Sequence, residues 1–330
     1  MNRSLTRLVL LTSTLTVSAF QAALSRTTGP RRDECSCLQF NSSIVQQFNF
    51  SPPHPLTPSP LQRLTTDGNF KEHPAWSPDG SLIAFTVYLK GKVGLVAMAP
   101  GAAEWKHITP LDENPEREPA WSPDGKRILF VHDSLSGTDG QLELHLMNAD
   151  GSDSKRLVTP AKRPAQDEHP AWSPDGKTIA FTTTRDGNQE IYLCDADGGN
   201  LRRITTHKAI DSHPTWSPDG RQIAFCSARF GNMEICVMNA DGSDVRRLTD
   251  HPALDYAPKW SPDGQHIAFT STRDRNYEVY LIRPDGTGLR NLTQHPDLDK
   301  DPAWTPDSSR VTFVSNRGGR FDLYSIEIAP

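Results

Sequence analysis

The sequence has no segment in which apolar residues recur every 3.6 positions, so it does not indicate a helical repeat. It has no run of Lys and Arg, and its net charge is −5, which argues against a nucleic acid partner. No spacing of Cys and His matches a zinc motif, and no Gly-x-Ser-x-Gly turn offers a catalytic serine. Its one long apolar stretch, close to the N-terminus, is too short for a stable membrane span.

What the sequence does contain is a pentapeptide close to Trp-Ser-Pro-Asp-Gly, which occurs six times at gaps of 45, 51, 44, 44 and 44 residues. A period of this size is typical of repeat proteins, in which one unit alone cannot bury its apolar face. The structural anchors of the six repeats are Trp76, Trp121, Trp172, Trp216, Trp260 and Trp304. Because a large aromatic side chain can fill the wedge between two sheets, we expect each to be buried between neighbouring units, and Trp105 to be more exposed.

The third repeat shows what one unit builds. Residues 170–173 lead into Pro174-Asp175-Gly176, a combination that favours a tight turn. Short strand patterns follow at 178–182, 190–193 and 202–205, each bounded by turn residues. Four short strands in one period predict a blade of a β-propeller.

The two ends of the repeat region indicate how the ring closes. The last repeat stops after its third strand, whereas Gln62-Arg63-Leu64-Thr65 precedes the first repeat and resembles the fourth-strand pattern Arg247-Leu248-Thr249. An N-terminal strand that completes the last blade would cover two exposed sheet edges. The predicted fold class is therefore all-β, a six-bladed β-propeller over residues 61–330 closed by an N-terminal strand.

The repeat resembles that of the TolB-type six-bladed propeller family, which reads approximately Asp-x-x-Pro-x-Trp-Ser-Pro-Asp-Gly, then Ile-Ala-Phe, an Arg-Asp-Gly turn and Glu-Ile-Tyr. WD-repeat propellers are less similar, since the chain has no Trp-Asp dipeptide. The namesake of the family also carries an α/β domain before the propeller, which the preceding residues are too few to form. We therefore expect a stand-alone propeller without a role in the Tol–Pal machinery. Some peptidases and pectin-degrading lyases contain the same repeat, so the resemblance fixes no activity.

Residues 1–25 are typical of an export signal, with Arg3 and Arg7 before a mostly apolar stretch. An uncleaved membrane anchor is the alternative. Residues 26–60 are rich in Pro, Ser, Thr and Asn and predict a flexible tether. The expected location is outside the cytoplasm, in a bacterial periplasm or in the extracellular space.

Cysteine usage leaves one pairing open. Of the five cysteines, Cys226 and Cys236 flank one predicted hairpin and could form a disulfide in an oxidising compartment. Buried free thiols are the alternative for these two and for Cys194.

The side chains predicted for the mouth of the central channel are those directly before the proline that opens each blade. These entry residues are His73, Glu118, His169, His213, Ala257 and Asp301. Imidazoles and carboxylates in a small ring could bind a divalent cation, with His73, His169 and His213 as ligands. Solvated polar side chains in a wet channel are the alternative, and no other cofactor is indicated.

Loop lengths favour the same face for binding. From Phe130 to Gly151 there are 21 residues, against 17 from Phe181 to Gly198, and the loop before Trp172 is three residues longer than the one before Trp216. Both insertions lie on the face of the blade-entry loops, and variable loops on a rigid scaffold commonly carry binding residues.

Polar residues that recur at matching positions predict structural contacts. Arg185 with Glu190 recurs in three further blades as Arg229 with Glu234, Arg273 with Glu278 and Arg317 with Asp322, and we expect these to be ion pairs across hairpins. Four aspartates stand three residues before the entry prolines and are expected to bond the backbone of their own loops, namely Asp167, Asp211, Asp255 and Asp299.

Two functions are compatible with these features. The first is an exported, non-enzymatic binding module that holds a protein or peptide partner on the variable-loop face and channel mouth. The second is a metal-dependent enzyme similar to propeller lyases that act on acidic polysaccharides. The oligomeric state is not indicated.

Overall fold

The computed structural model describes residues 61–111, 114–134, 141–161 and 165–328. The predicted export signal and tether lie outside these ranges, as do most of the two loop insertions. No helix occurs in the described ranges, and so none in them could cross a membrane. The described residues form 24 strands in six four-stranded antiparallel sheets, which confirms the all-β six-bladed propeller.

Each blade runs from a first strand next to the channel to a short outer strand. The first strands are β2 (Phe70–Trp76), β6 (Glu116–Trp121), β10 (Asp167–Trp172), β14 (Asp211–Trp216), β18 (Asp255–Trp260) and β22 (Asp299–Trp304). The second strands are β3 (Ile83–Leu89), β7 (Arg127–Ser134), β11 (Thr178–Thr183), β15 (Gln222–Ser227), β19 (Ile267–Ser271) and β23 (Arg310–Ser315). The third strands are β4 (Lys92–Met98), β8 (Gln141–Asn148), β12 (Glu190–Asp195), β16 (Glu234–Asn239), β20 (Glu278–Ile282) and β24 (Asp322–Glu327).

The outer strands have two residues each and close the ring. They are β1 (Gln62–Arg63), β5 (Lys106–His107), β9 (Lys155–Arg156), β13 (Arg202–Arg203), β17 (Arg246–Arg247) and β21 (Arg290–Asn291). Strand β1 pairs with β24, with Gln62 opposite Ser325 and Arg63 opposite Tyr324. The first strands pack against one another around the ring, with β2 beside both β6 and β22.

The closing contact contains a buried charge network. The carboxylate of Asp322 is fully buried and accepts hydrogen bonds from Arg63 Nη2 at 2.5 Å and Thr65 Oγ1 at 2.7 Å. Lys71 Nζ lies 3.3 Å from the same carboxylate and 2.8 Å from Asp67, and its side chain is also fully buried. The N-terminal segment is therefore joined to the last blade by ionic contacts as well as by strand pairing.

The cores lie between neighbouring blades, as the anchor tryptophans predict. One cluster joins Leu129 and Leu144 of the second blade to Trp172 and Phe181 of the third. In the described residues, every anchor indole except that of Trp260 donates its N–H to the preceding blade, for example from Trp172 Nε1 to the carbonyl oxygen of Ala120 at 3.3 Å. Trp172, Trp260 and Trp304 are buried. The other three anchors, Trp76, Trp121 and Trp216, are only half-buried, as Trp105 is. The prediction that every anchor is buried, and that Trp105 is more exposed, is wrong for these three.

The Ser-Pro-Asp-Gly turns share one hydrogen-bond pattern. In the first, Ser77 Oγ donates to Asp79 Oδ1, which also accepts from the backbone N–H of Ser81. Five turns place Gly at a positive φ between 68° and 74°, while the sixth places Ser308 there at 61°. Only glycine adopts this conformation without a steric penalty. The face formed by these turns, here called the turn face, is therefore nearly identical in every blade.

The recurring arginines make different ion pairs from those predicted. Arg185 Nη2 lies 3.1 Å from Asp167, and Arg229 Nη2 lies 2.7 Å from Asp211, so each arginine pairs with the aspartate of its own first strand. The predicted partner Glu190 instead contacts Arg203 at 2.7 Å. The expected backbone bonds of the aspartates are likewise replaced by side-chain contacts. Strand register accounts for these partners, because it places Asp167 opposite Thr183 and Thr183 opposite Glu190 on three neighbouring strands.

Of the two alternatives for Cys226 and Cys236, the structure shows buried free thiols and no disulfide. Cys226 and Cys236 are free and buried, as is Cys194. Cys236 is paired with Phe225, whereas Cys226 is paired with Ile235. Because side chains alternate along a strand, the two thiols lie on opposite faces of their sheet and cannot bond.

Candidate functional site at the channel mouth

All six entry residues have a left-handed backbone. Their φ angles are 52° at His73, 56° at Glu118, 54° at His169, 55° at His213, 52° at Ala257 and 56° at Asp301. The pairing register of every first strand shifts at this position, which is the signature of a β-bulge. Non-glycine residues with positive φ are uncommon and are often found at functional sites. The periodicity of the sequence locates these residues but gives no sign of this conformation.

Hydrogen bonds from the preceding blade hold several bulges in place. The backbone N–H of Glu118 bonds to Thr86 Oγ1 at 3.2 Å, and that of His213 bonds to Thr182 Oγ1 at 3.1 Å. The N–H of Asp301 makes the same contact with Thr270 at 3.2 Å. Bonds of this kind fix the entry residues relative to the neighbouring blade.

One side of the mouth is formed by Glu118, His169 and His213. The two imidazole rings are stacked with centroids 3.5 Å apart. Glu118 Oε2 accepts the backbone N–H of His169 at 2.6 Å, while Oε1 lies 3.7 Å from His169 Nε2. Burial and the nearby His73 lower the pKa of His169 to about 3, and burial and His169 lower the pKa of His213 well below its ordinary value. Both rings are therefore neutral at physiological pH.

The opposite side is an ion cluster across the ring closure. Lys300 Nζ lies 2.7 Å from Glu72 Oε1 and 3.2 Å from Asp301 Oδ2, and Tyr88 donates a hydrogen bond to Glu72 at 2.7 Å. Burial opposes ionisation of Glu72, but the Lys300 ammonium overcomes it and lowers the pKa of Glu72 to about 2. Of these residues, only Asp301 was predicted to belong to the site.

Aromatic side chains flank both groups. Phe70 contacts Tyr88 and Phe321 with ring centroids 4.9 and 4.6 Å apart. Tyr256 lies 6.3 Å from the ring of His213 and 6.2 Å from that of Tyr277. Sequence reasoning missed these residues, although Tyr256 stands beside an entry position and both Tyr277 and Phe321 lie in loops between second and third strands. Half-buried aromatic residues next to charged groups are common in protein-binding surfaces.

Glu168 adds a carboxyl group that is neutral at neutral pH. Burial and the charge of Glu118 raise the pKa of Glu168 to about 8. Gln189 Nε2 donates a hydrogen bond to its Oε2 at 3.1 Å. The mouth can therefore offer a carboxylic acid donor besides its carboxylates.

The structure does not gather the predicted metal ligands. His169 and His213 stack face to face, and His73 Nδ1 is buried without a hydrogen-bond partner in the described ranges. Within those ranges, no group of three or more His, Cys, Asp or Glu side chains is placed to hold a metal ion. A cation bound by His73, His169 and His213 thus stays a prediction without support from this geometry.

Family comparisons agree with this architecture. The family model of the TolB beta propeller domain matches residues 159–256 and 248–330, which together make up just over half of the chain. The chain belongs to this family. A TolB homolog of Chlorobium luteolum is 37% identical over 142 residues, which are 43% of this chain and 30% of that protein. The match thus spans less than a third of that relative's length.

Solved structures share the TolB propeller fold. The crystal structure of TolB from Acinetobacter baumannii has a TM-score of 0.64 at 23% identity, covering 76% of this chain and 64% of that one. An oligogalacturonate lyase in complex with manganese has a TM-score of 0.58 at 15% identity, covering 83% and 94% of the two chains. At these identities the likeness shows the fold alone.

Proposed function

We propose that this TolB-family propeller is an exported, non-enzymatic module that binds a protein or peptide partner at its channel mouth. One observation carries the proposal. The six entry residues share one strained backbone conformation, yet five of them carry polar or charged side chains and four residue types occur among the six. The turn face, in contrast, repeats one hydrogen-bond pattern in every blade. A constant scaffold that presents different side chains on one face is the usual arrangement of a binding site.

The chemistry of the mouth supports a polypeptide ligand. Carboxylates at Glu118 and Asp301 can accept N–H groups, and the half-buried rings of Phe70, Tyr256 and Tyr277 offer apolar contact area. The TolB relatives support a binding role through their family membership, and residues 1–25 support export. The metal-dependent lyase remains the alternative prediction, and no contact in the described residues favours it.

Peptide selection tests this proposal. A random peptide library is panned on the full-length protein, and selected peptides are titrated by fluorescence anisotropy. We expect the double variant Glu118→Gln/His213→Ala to bind them at least about tenfold more weakly, a loss of about 1.4 kcal/mol. Lys126→Ala, on the turn face, is the matched control and should leave affinity unchanged.

The opposite pattern would count against the proposal. Peptides that lose affinity with Lys126→Ala but keep it with the mouth variant would place the site on the turn face. A library that yields no peptide sensitive to the mouth variant would reject the channel mouth as a polypeptide site.

A further inference from the structure

One charged side chain in the channel breaks a pattern that the other blades keep. The position between the entry proline and the anchor tryptophan is occupied by Ala75, Ala120, Ala171, Thr215, Lys259 and Ala303. Five blades therefore place a small side chain in this layer, and only the fifth places a long cationic one. These six residues lie on the first strands of their blades, each directly after the entry proline.

Its exposure and its charged neighbours indicate where the side chain of Lys259 lies. It is exposed, while Pro258 and Trp260 on either side of it are buried. The charged groups with which its ammonium interacts include Glu118 of the second blade and Asp301 of the sixth, and its charge also acts on His169 and His213. Residues from four other blades can converge on one side chain only near the propeller axis. Lys259 therefore extends into the central channel, close to the entry residues.

Among the residues that the structure describes, none is a direct partner of the Lys259 ammonium group. It makes no hydrogen bond and no ion pair in the part of the chain that the structure describes, in contrast to Lys300 and Lys71, which contact two carboxylates each. Desolvation by the surrounding blades lowers the pKa of Lys259 and outweighs the opposing effect of Glu118 and Asp301, although the side chain stays accessible to solvent from the channel. An anionic group that enters the channel would remove this penalty by pairing with the ammonium.

We propose that Lys259 is the anchor for a carboxylate of the bound polypeptide, either an Asp or Glu side chain or a C-terminus. This inference rests on the proposed function and specifies the ligand. A polyanion is disfavoured, because Glu118 and Asp301 stand around the same opening and would repel a series of negative charges. A peptide with one carboxylate fits, since its neighbouring N–H groups or cationic side chains can bond those two acids.

The experiment uses peptides selected on the full-length protein. In separate versions of each peptide, Asp is replaced by Asn or Glu by Gln. Each peptide is also made with a free and with an amidated C-terminus. We expect one carboxylate to be required, and its removal to weaken binding at least about tenfold. Lys259→Ala should cause a similar loss, and the two changes together should cost little more than either alone. Lys259→Ala introduces the residue that four other blades carry, so the variant should fold normally. Lys208→Ala, an exposed lysine in a blade-entry loop, is the control and should bind like wild type.

The amidated peptides distinguish the two carboxylate sources, because only a C-terminal anchor is sensitive to C-terminal amidation. Peptides that need Glu118 and His213 but bind equally to wild type and Lys259→Ala would overturn this inference and leave the proposed function intact. Peptides that depend on none of the three residues would overturn both.

Discussion

Replacement of Asp322 by alanine is expected to lower the free energy of unfolding by about 3–5 kcal/mol, because it removes one partner of a buried ion pair. Among the described residues, Lys71 would keep only Asp67 as a charged partner, and Arg63 and Thr65 would lose their side-chain bonds to Asp322. Urea unfolding of the full-length protein, followed by tryptophan fluorescence, measures the change. Deletion of residues 61–66 should be at least as damaging, since it also exposes the edge of β24.

Arg246→Ala is the control for the closure prediction. Its ion pair with Asp244 is long, at 3.9 Å, and exposed on both sides, so its loss should cost no more than about 0.5 kcal/mol. If Asp322→Ala unfolds at the same urea concentration as this control, the contact between the N-terminal strand and the last blade does not stabilise the ring.

Replacement of Trp172 by alanine is expected to cost about 3–5 kcal/mol, the range for large aromatic side chains in cores. Trp172 is only 8% exposed and packs between the second and third blades with Leu129, Leu144 and Phe181. Arg127 also lies over its ring at 4.9 Å. Because the lost side chain fills the space between two sheets, the remaining cavity cannot close without moving a blade. Thermal and urea unfolding of the purified variant measure the loss.

Trp172→Phe separates packing from hydrogen bonding. It keeps an aromatic ring but removes the hydrogen bond from Nε1 to the carbonyl oxygen of Ala120. We therefore expect the free energy of unfolding to fall by about 1 kcal/mol beyond the effect of the smaller ring. An alanine variant no less stable than the phenylalanine variant would show that the wedge between these blades carries little of the stability.

The fold could be predicted because it follows from local, repeated signals. The turn sequence Ser-Pro-Asp-Gly and the strand patterns around it recur at nearly constant spacing, and the unmatched strand at 62–65 has its counterpart in the incomplete last repeat. Predictions about side-chain pairing were less successful. Arg185 pairs with Asp167 rather than Glu190, because the register across three strands decides which groups meet.

The candidate site was only partly predictable for the same reason. The periodic prolines identify the six entry residues, but distances around a ring are not encoded in the spacing along the chain. The stacking of His169 on His213 and the ion cluster of Glu72, Lys300 and Asp301 depend on contacts between blades. Lys259 could have been noticed by aligning the repeats, since it replaces a small residue present in the other five blades.

Binding of a polypeptide at the channel mouth can be mapped by hydrogen–deuterium exchange of the full-length protein, with and without the tightest selected peptide. We predict slower exchange in the entry segments that end at His73, Glu118, His169, His213 and Asp301, with no change in the six Ser/Thr-Pro-Asp turns. Slower exchange confined to those turns, or to the outer strands, would show that the peptide binds elsewhere.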